Sequence, residues 1–228
     1  MLVLGIDTAT RIASVGLVRD GQALDEESCL ASSNHIETLL PLITKLLVRH
    51  GISLGDLYGI GVSIGPGSFT GLRIALSAVK GVAYALGQRV VGVPTLEALA
   101  RVISAGEGNI CPMLDARKGE VYAASFRRQQ YGFLERLTPD YVCAPHVLLD
   151  RLTTPCLFLG DAVESYGGLI LQCCGPAARL LPFATHHPRG AVVARMAWER
   201  LCRGESDDPS ALVPCYVRKP DAEFKRMN

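Results

Sequence analysis

The chain has 228 residues, 49% of them hydrophobic and 20% charged, too apolar for disorder and long enough for one large domain or two lobes of about 100 residues. Lys and Arg number 23 against 22 Asp and Glu, a net charge of +1, and aromatics make up 6%. This argues against an autonomous nucleic-acid binder, which needs a basic excess and stacking rings, but not against a subunit of an RNA-handling complex. Eight cysteines form no Cys-x-x-Cys pair, Met1–Asp7 has no basic signal region, and no run approaches the roughly 20 apolar residues of a bilayer span. Buried or half-buried free thiols, no membrane and a cytoplasmic location are the expectation.

Leu2–Asp7 reads as a buried strand, Ala13–Arg19 as a second, and Asp20-Gly21 as the tight turn into a third, from Gln22 to about Cys29. Ser32, Ser33 and Asn34 offer helix caps with Glu37 as capping-box partner; the helix runs to His50 and Gly51 stops it. Ile60–Ile64 is a fourth strand, Gly65–Gly71 a glycine-rich turn, and a second helix runs from about Thr70 to Leu86, ended by Gly87. With a strand at Val90–Val93 and a helix at Thr95–Ser104, the order is βββαβαβα. Ser104–Asn109 is a loop by composition, so the expected lobes are residues 1–104 and 105–228. The second is expected to hold strands at Cys111–Asp115, Glu120–Arg127, Gly132–Leu137 and Cys156–Leu159, with a helix near Pro145–Leu152. Asp7 and Asp115 each close a strand with another beginning about six residues later, which fits an internal duplication. The amphipathic helix Gly190–Arg203 is expected to pack back on the first lobe. Pro214–Asn228 is a tail carrying Arg218, Lys219, Lys225 and Arg226 against Asp221 and Glu223.

Two segments could carry chemistry. The Asp7-Thr8-Ala9-Thr10 turn offers backbone N–H groups, hydroxyls and a carboxylate that can cradle phosphate or hold a hydrated metal ion, or that simply close a hairpin. The run Gly65-Pro66-Gly67-Ser68-Phe69-Thr70-Gly71-Leu72-Arg73 follows a strand and opens a helix, so it aims N–H groups and a helix dipole at an approaching anion. It matches neither the P-loop nor G-x-G-x-x-G, and its glycines could serve only close packing. Asp7, Thr8, Thr10, Gly65, Gly67, Ser68 and Thr70 are therefore the candidate phosphate or nucleotide residues.

The two helices are more apolar than one sheet contact requires. Ile36, Leu39, Leu40, Ile43 and Leu47 share a face, Leu42 and Leu46 lie off it, and in the second helix only Arg73, Ser77 and Lys80 form a polar stripe. A partner interface is expected at Ile36, Leu39, Leu40, Ile43, Leu46, Leu47, Leu72, Ala75, Leu76 and Val79, where Leu76→Glu or Ile43→Lys would block binding without unfolding the monomer. His35, His50, His146, His186 and His187 form no His-x-x-x-His or His-Glu-x-x-His pattern, no Gly-x-Ser-x-Gly elbow occurs, and neither a metal site nor a catalytic residue is assigned. Asp115, Arg117, Glu120 and Tyr122 read as a salt-bridged turn.

Leu4–Thr10, His35–Pro41, Gly65–Arg73, Val93–Glu97 and Leu114–Tyr122 together resemble the TsaB (YeaZ) family, densely over residues 1–125 and thinly beyond, apart from Pro214–Arg218. The resemblance implies an α/β, actin-like and sugar-kinase-like ATPase (ASKHA) fold with two lobes of βββαβα type. It also implies a role in threonylcarbamoylation of the adenosine beside the anticodon in tRNAs that read codons starting with A. The catalytic relative TsaD carries a His-x-x-x-His metal site; the corresponding stretch here, Val93–Leu99, has no histidine, so a non-catalytic subunit is implied. The implied partners are a TsaD-like protein, docked through helices of the first lobe, a TsaE-like ATPase, and a second copy when alone. The tRNA would be met only indirectly, and ATP or ADP with Mg only in the complex. An ATPase or small-molecule kinase of the same fold, and a metallopeptidase, are the alternatives.

Overall fold

A computed structural model describes residues 1–31, 35–104 and 106–218, without the side chains of His35 and Ile36. The expected caps at Ser32–Asn34, the Ile36 interface position and the tail charges at Lys219, Asp221, Glu223, Lys225 and Arg226 lie outside the described residues.

The first half forms β1 (Leu2–Asp7), β2 (Ile12–Arg19), β3 (Gln22–Leu30), α1 (His35–Arg49), β4 (Gly59–Gly65), α2 (Phe69–Leu86), β5 (Arg89–Pro94) and α3 (Thr95–Arg101). Its sheet has the order β3-β2-β1-β4-β5, with β1–β2 and β2–β3 antiparallel and β1–β4 and β4–β5 parallel. The parallel strands are nearly continuous apolar runs because both faces are covered, whereas edge strand β3 carries Asp25, Glu26 and Glu27. α2 starts where Ser68 Oγ accepts from the Gly71 N–H and ends where Gly87, at φ 67°, turns its N–H back to the Ala83 carbonyl. α2 has the length and composition of a membrane-crossing helix, yet Gly71, Leu72, Ala75, Leu76, Val79 and Ala83 are buried within the protein.

The second half forms β6 (Gly108–Asp115), β7 (Val121–Ala123), β8 (Phe126–Arg128), β9 (Leu134–Arg136), β10 (Tyr141–Cys143), α4 (Pro145–Leu149), β11 (Cys156–Leu159), α5 (Ala162–Cys174), β12 (Ala178–Leu180) and α6 (Gly190–Cys202). The sheet order β10-β7-β6-β11-β12 repeats that of the first sheet, and the β8–β9 hairpin is an addition paired to β6. The expected strand Glu120–Arg127 is thus two. β7 pairs with Met113–Asp115 and β8 with Gly108–Ile110, so the chain changes its place along β6 at Ala124-Ser125. The expected Gly132–Leu137 strand shortens to β9, and the helix near Pro145–Leu152 to α4. β10, α5 and β12 have no counterpart in the sequence reading: the strands are three residues long, and Gly167-Gly168 interrupts the helical signal of α5. Of the eight free cysteines Cys173, Cys202 and Cys215 are exposed, against the expectation of buried or half-buried thiols, while burial pushes the Cys156 thiol up to about 12.

α6 lies on the first sheet, against β1, β2 and β4. Alternation along the strands divides the core. Leu4, Ile6, Val15, Leu17, Ile60 and Val62 pack with α1 and α2, while Val3, Val18, Val91 and Val93 pack with α6. The α6 side also carries Gly5, Gly16, Gly59 and Gly61, which let the helix come close. A Cβ on Gly5 would lie 2.1 Å from the Gly190 carbonyl oxygen, and one on Gly16 would lie 2.2 Å from the Ala191 nitrogen. The α6 N-terminus is capped from the sheet, with the Gly190 N–H donating to Ser14 Oγ (2.9 Å) and the Ala191 N–H to Glu26 Oε1 (3.1 Å). Gly16→Ala is expected to lower the unfolding free energy by about 3 kcal/mol in urea titrations. Gly81→Ala, in α2 with nothing within 4 Å of the added methyl, should raise it by roughly 0.5–1 kcal/mol.

Candidate functional site

β1 and α2 carry the candidate phosphate residues to one place, but as interlocked packing. Asp7 is fully buried; its Oδ1 accepts from the Ala9 N–H (3.0 Å) and its Oδ2 from the Ser63 hydroxyl. Thr8 Oγ1 donates to the Gly71 carbonyl (2.8 Å), and the Ser68 N–H donates to the Ala9 carbonyl (2.7 Å). Gly67 has no side chain because a Cβ there would lie 2.5 Å from the Ala9 oxygen, and one on Gly71 would lie 2.0 Å from the Thr8 oxygen. Thr10 is buried in a bond with its own turn, the Ile12 N–H donating to its hydroxyl (3.2 Å). Gly65 donates to Thr95 Oγ1 (3.1 Å), and Thr70 is exposed on the first turn of α2. The expected anion cradle is therefore filled by the protein's own acceptors. The Asp7 carboxylate and the Ser68 and Gly71 N–H groups do not fit a nucleotide with Mg.

The repeat supplies a second such turn. The Asp115 N–H donates to Asp161 Oδ1 at the start of α5 (2.9 Å), and Arg117 pairs with Asp115 at 3.3 Å in the expected salt-bridged turn. Arg11, on the first turn, reaches Glu164 of α5 at 2.6 Å, and Arg218 donates to the Ala116 carbonyl (2.7 Å) and pairs with Glu120. The segment before Arg218 is held to the first half, since the Cys215 N–H donates to the Ile64 carbonyl (2.7 Å) and Tyr216 accepts from Arg73 Nε (2.8 Å). Among the described residues no group of three or more His, Cys, Asp or Glu could hold a metal ion.

Most of the expected interface residues are core. Leu39, Ile43, Leu46, Leu47, Leu72, Ala75, Leu76 and Val79 are buried beneath α1 and α2 against the first sheet. Leu76→Glu or Ile43→Lys would therefore place a charge in the core and unfold the monomer rather than test an interface. Leu40 is 53% exposed and Val48 72%. Between the helices runs a groove of about 310 Å³ lined by Leu39, Leu40, Arg73, Ile74, Ser77 and Ala78. Ile74, Ala78 and Val82 recur every four residues, so α2 has two apolar stripes, and one helical wheel does not say which of them meets the sheet.

The doubled strand and helix order defines a protein of the actin-like, sugar-kinase-like fold class. The fold alone is shared with the activator of the 2-hydroxyisocaproyl-CoA dehydratase from Clostridium difficile, with TM-score 0.53, 8% identity, and coverage of 91% of this chain and 99% of that one. The family profile of TsaD, tRNA N6-adenosine threonylcarbamoyltransferase, matches residues 29–225. The tRNA threonylcarbamoyladenosine biosynthesis protein TsaB of Bacillus subtilis is 32% identical over 228 residues, covering 99% of this chain and 97% of that protein. YeaZ from Pseudomonas aeruginosa superposes with TM-score 0.78 at 29% identity, covering 94% of this chain and 99% of that one. The chain belongs to the TsaB (YeaZ) family.

Burial pushes the Asp7 carboxyl up to about 6, against the lowering effect of its bonds from Ser63 and Ala9. An acid whose folded-state pKa is raised favours the native state below its unfolded value and loses that stability as pH rises toward 6, here on the order of 3 kcal/mol. Asp7→Asn should therefore be more stable than the parent by about 1–3 kcal/mol at neutral pH, with the difference gone near pH 4, as read by urea unfolding across pH.

Proposed function

We propose that the chain is a non-catalytic scaffold and activating subunit in tRNA threonylcarbamoyladenosine biosynthesis. In this reading it docks a TsaD-like protein through the outer face of α1 and α2. The groove between these helices carries the reading, because Leu40 is 53% exposed at its edge and the half-buried Ile74 and Ala78 line it, giving an apolar trough on the outer side of the helix pair. Ser77, Ala78 and Gly81 keep the α2 surface low, so a partner helix can approach closely, and Arg73 supplies a polar rim. Family membership supports the pathway, and the TsaD profile match shows how near the two chains are in kind.

A second copy of the chain would use the same face when no partner is present, which makes self-association and heterodimer formation mutually exclusive. A TsaE-like protein joins the pair in this reading, and nucleotide chemistry belongs to the partners. The filled cradle around Asp7 and Gly67 weighs against an ATPase or kinase reading of this chain, and the described residues hold no cluster that would serve a metallopeptidase.

Charges on the outer face test it. Leu40→Glu and Ser77→Glu, both at exposed positions lining the groove, should abolish capture of the TsaD-like protein in pull-downs and turn the lone chain monomeric in sedimentation, with melting temperature changed by less than about 3 °C. Capture by both variants at the level of the parent would overturn the interface.

A further inference from the structure

The β8–β9 hairpin stands outside the duplicated order, and its tip has features that oppose folding. Tyr131 is fully exposed and held at φ 61°, a left-handed backbone that bulky residues avoid, and Phe133 is 64% exposed. Beside the tip lies a groove of about 550 Å³ lined by Glu107, Gly108, Arg127, Arg128, Gln129 and Gln130.

Arg128 is the anomaly. It is 8% exposed, its Nη1 donates to the Gly132 carbonyl (3.0 Å), and its Nε is buried with no acceptor. Among the described residues no carboxylate lies within ion-pair distance of Arg128 or Arg127, and Arg127 Nε donates instead to Asn109 Oδ1 (3.2 Å). The charge that bears on Arg128 is another cation, Arg101, and burial together with Arg101 holds its guanidinium below the usual arginine range. A buried cation without a counter-ion is destabilising, and an anion entering the groove would relieve it.

The anion's chemistry follows from its surroundings. Exposed ring faces at Tyr131 and Phe133, and the nearby Gln130 amide, suit unpaired bases, while the two arginines suit the phosphates between them. An acidic protein segment would meet the arginines and leave the rings idle. We propose that this hairpin and groove form an RNA-contacting site, with a backbone phosphate at Arg127 and Arg128 and an unpaired base stacked on Tyr131. The inference rests on the reading that the chain serves tRNA modification, and it replaces purely indirect contact with tRNA by a local one. Arg136 of the same hairpin is already paired with Asp140 and Glu97, so the cations the groove offers are Arg127 and Arg128, against the exposed Glu107 on its rim, and a local basic site coexists with an overall charge of +1.

The test uses the full chain alone and a short fluorescein-labelled single-stranded RNA, read by anisotropy across a salt series. The RNA is expected to bind at low salt, about tenfold more weakly with Tyr131→Ala, and with a salt slope smaller by about one with Arg127→Gln. Both positions are exposed, so melting temperatures should match the parent's; Arg128→Gln is read only where its melting curve does as well. No binding at low salt, or equal binding by the parent, Tyr131→Ala and Arg127→Gln, would overturn the site. Competition by polyglutamate as effective as by unlabelled RNA would also overturn it, in favour of an acidic protein segment. Leu40→Glu should keep RNA binding while the hairpin variants keep capture of the TsaD-like protein, so failure of one reading is distinguishable from failure of the other.

Discussion

The approach of α6 to β1 and β2 at backbone distance, through Gly5, Gly16 and Gly190, determines how the first half is covered. No side chain fits between helix and sheet there, so the helix sits close, with its first N–H groups received by Ser14 and Glu26 of the sheet it covers. Arg189 pairs with the same Glu26, and Arg200 ties the far end of the helix to Asp207 (2.9 Å). With that face of the sheet closed by the last helix, α1 and α2 must cover the other. Their outer surfaces, with the groove between them, then face solvent.

At the junction between the halves the glycine-rich turn and the Asp7 turn bond to each other. In an actin-like arrangement the strand-end turns and the start of the following helix form a natural anion site. Here Ala9 receives the Ser68 N–H, Gly71 receives the Thr8 hydroxyl, and Asp7 is enclosed with Ser63. The same glycines that would admit a phosphate instead admit the neighbouring backbone. Burial makes the Asp7 charge unfavourable, and only the bonds from Ser63 and Ala9 offset it. Arg11–Glu164 and Arg218–Glu120 then bind the two halves across the space between the turns.

Much of the architecture was legible in the sequence because local signals agreed with the tertiary outcome. The βββαβαβα order of the first half and the Gly87 stop are backbone requirements that these residues announce wherever they occur, whereas Ser68, which the sequence marks only as a candidate phosphate residue, is the cap of α2. The second half was less legible. Three-residue strands such as β10 and β12 carry too few alternations to register, and the Ala124-Ser125 break between β7 and β8 exists only because β6 is long enough to pair with both.

For the functional surfaces the division has a physical cause. The sequence by itself determined the family, the presence of a glycine-rich turn beside Asp7, and the excess of apolar residues on two helices. Only the tertiary structure decided that Leu72, Ala75, Leu76 and Val79 face the sheet while Leu40, Ile74 and Ala78 face outward, because that choice depends on how each helix is rotated against its neighbours. Only the structure likewise showed that Gly67 and Gly71 contact Thr8 and Ala9, and that Arg128 is buried without an anion, since both are encounters between segments distant in the chain.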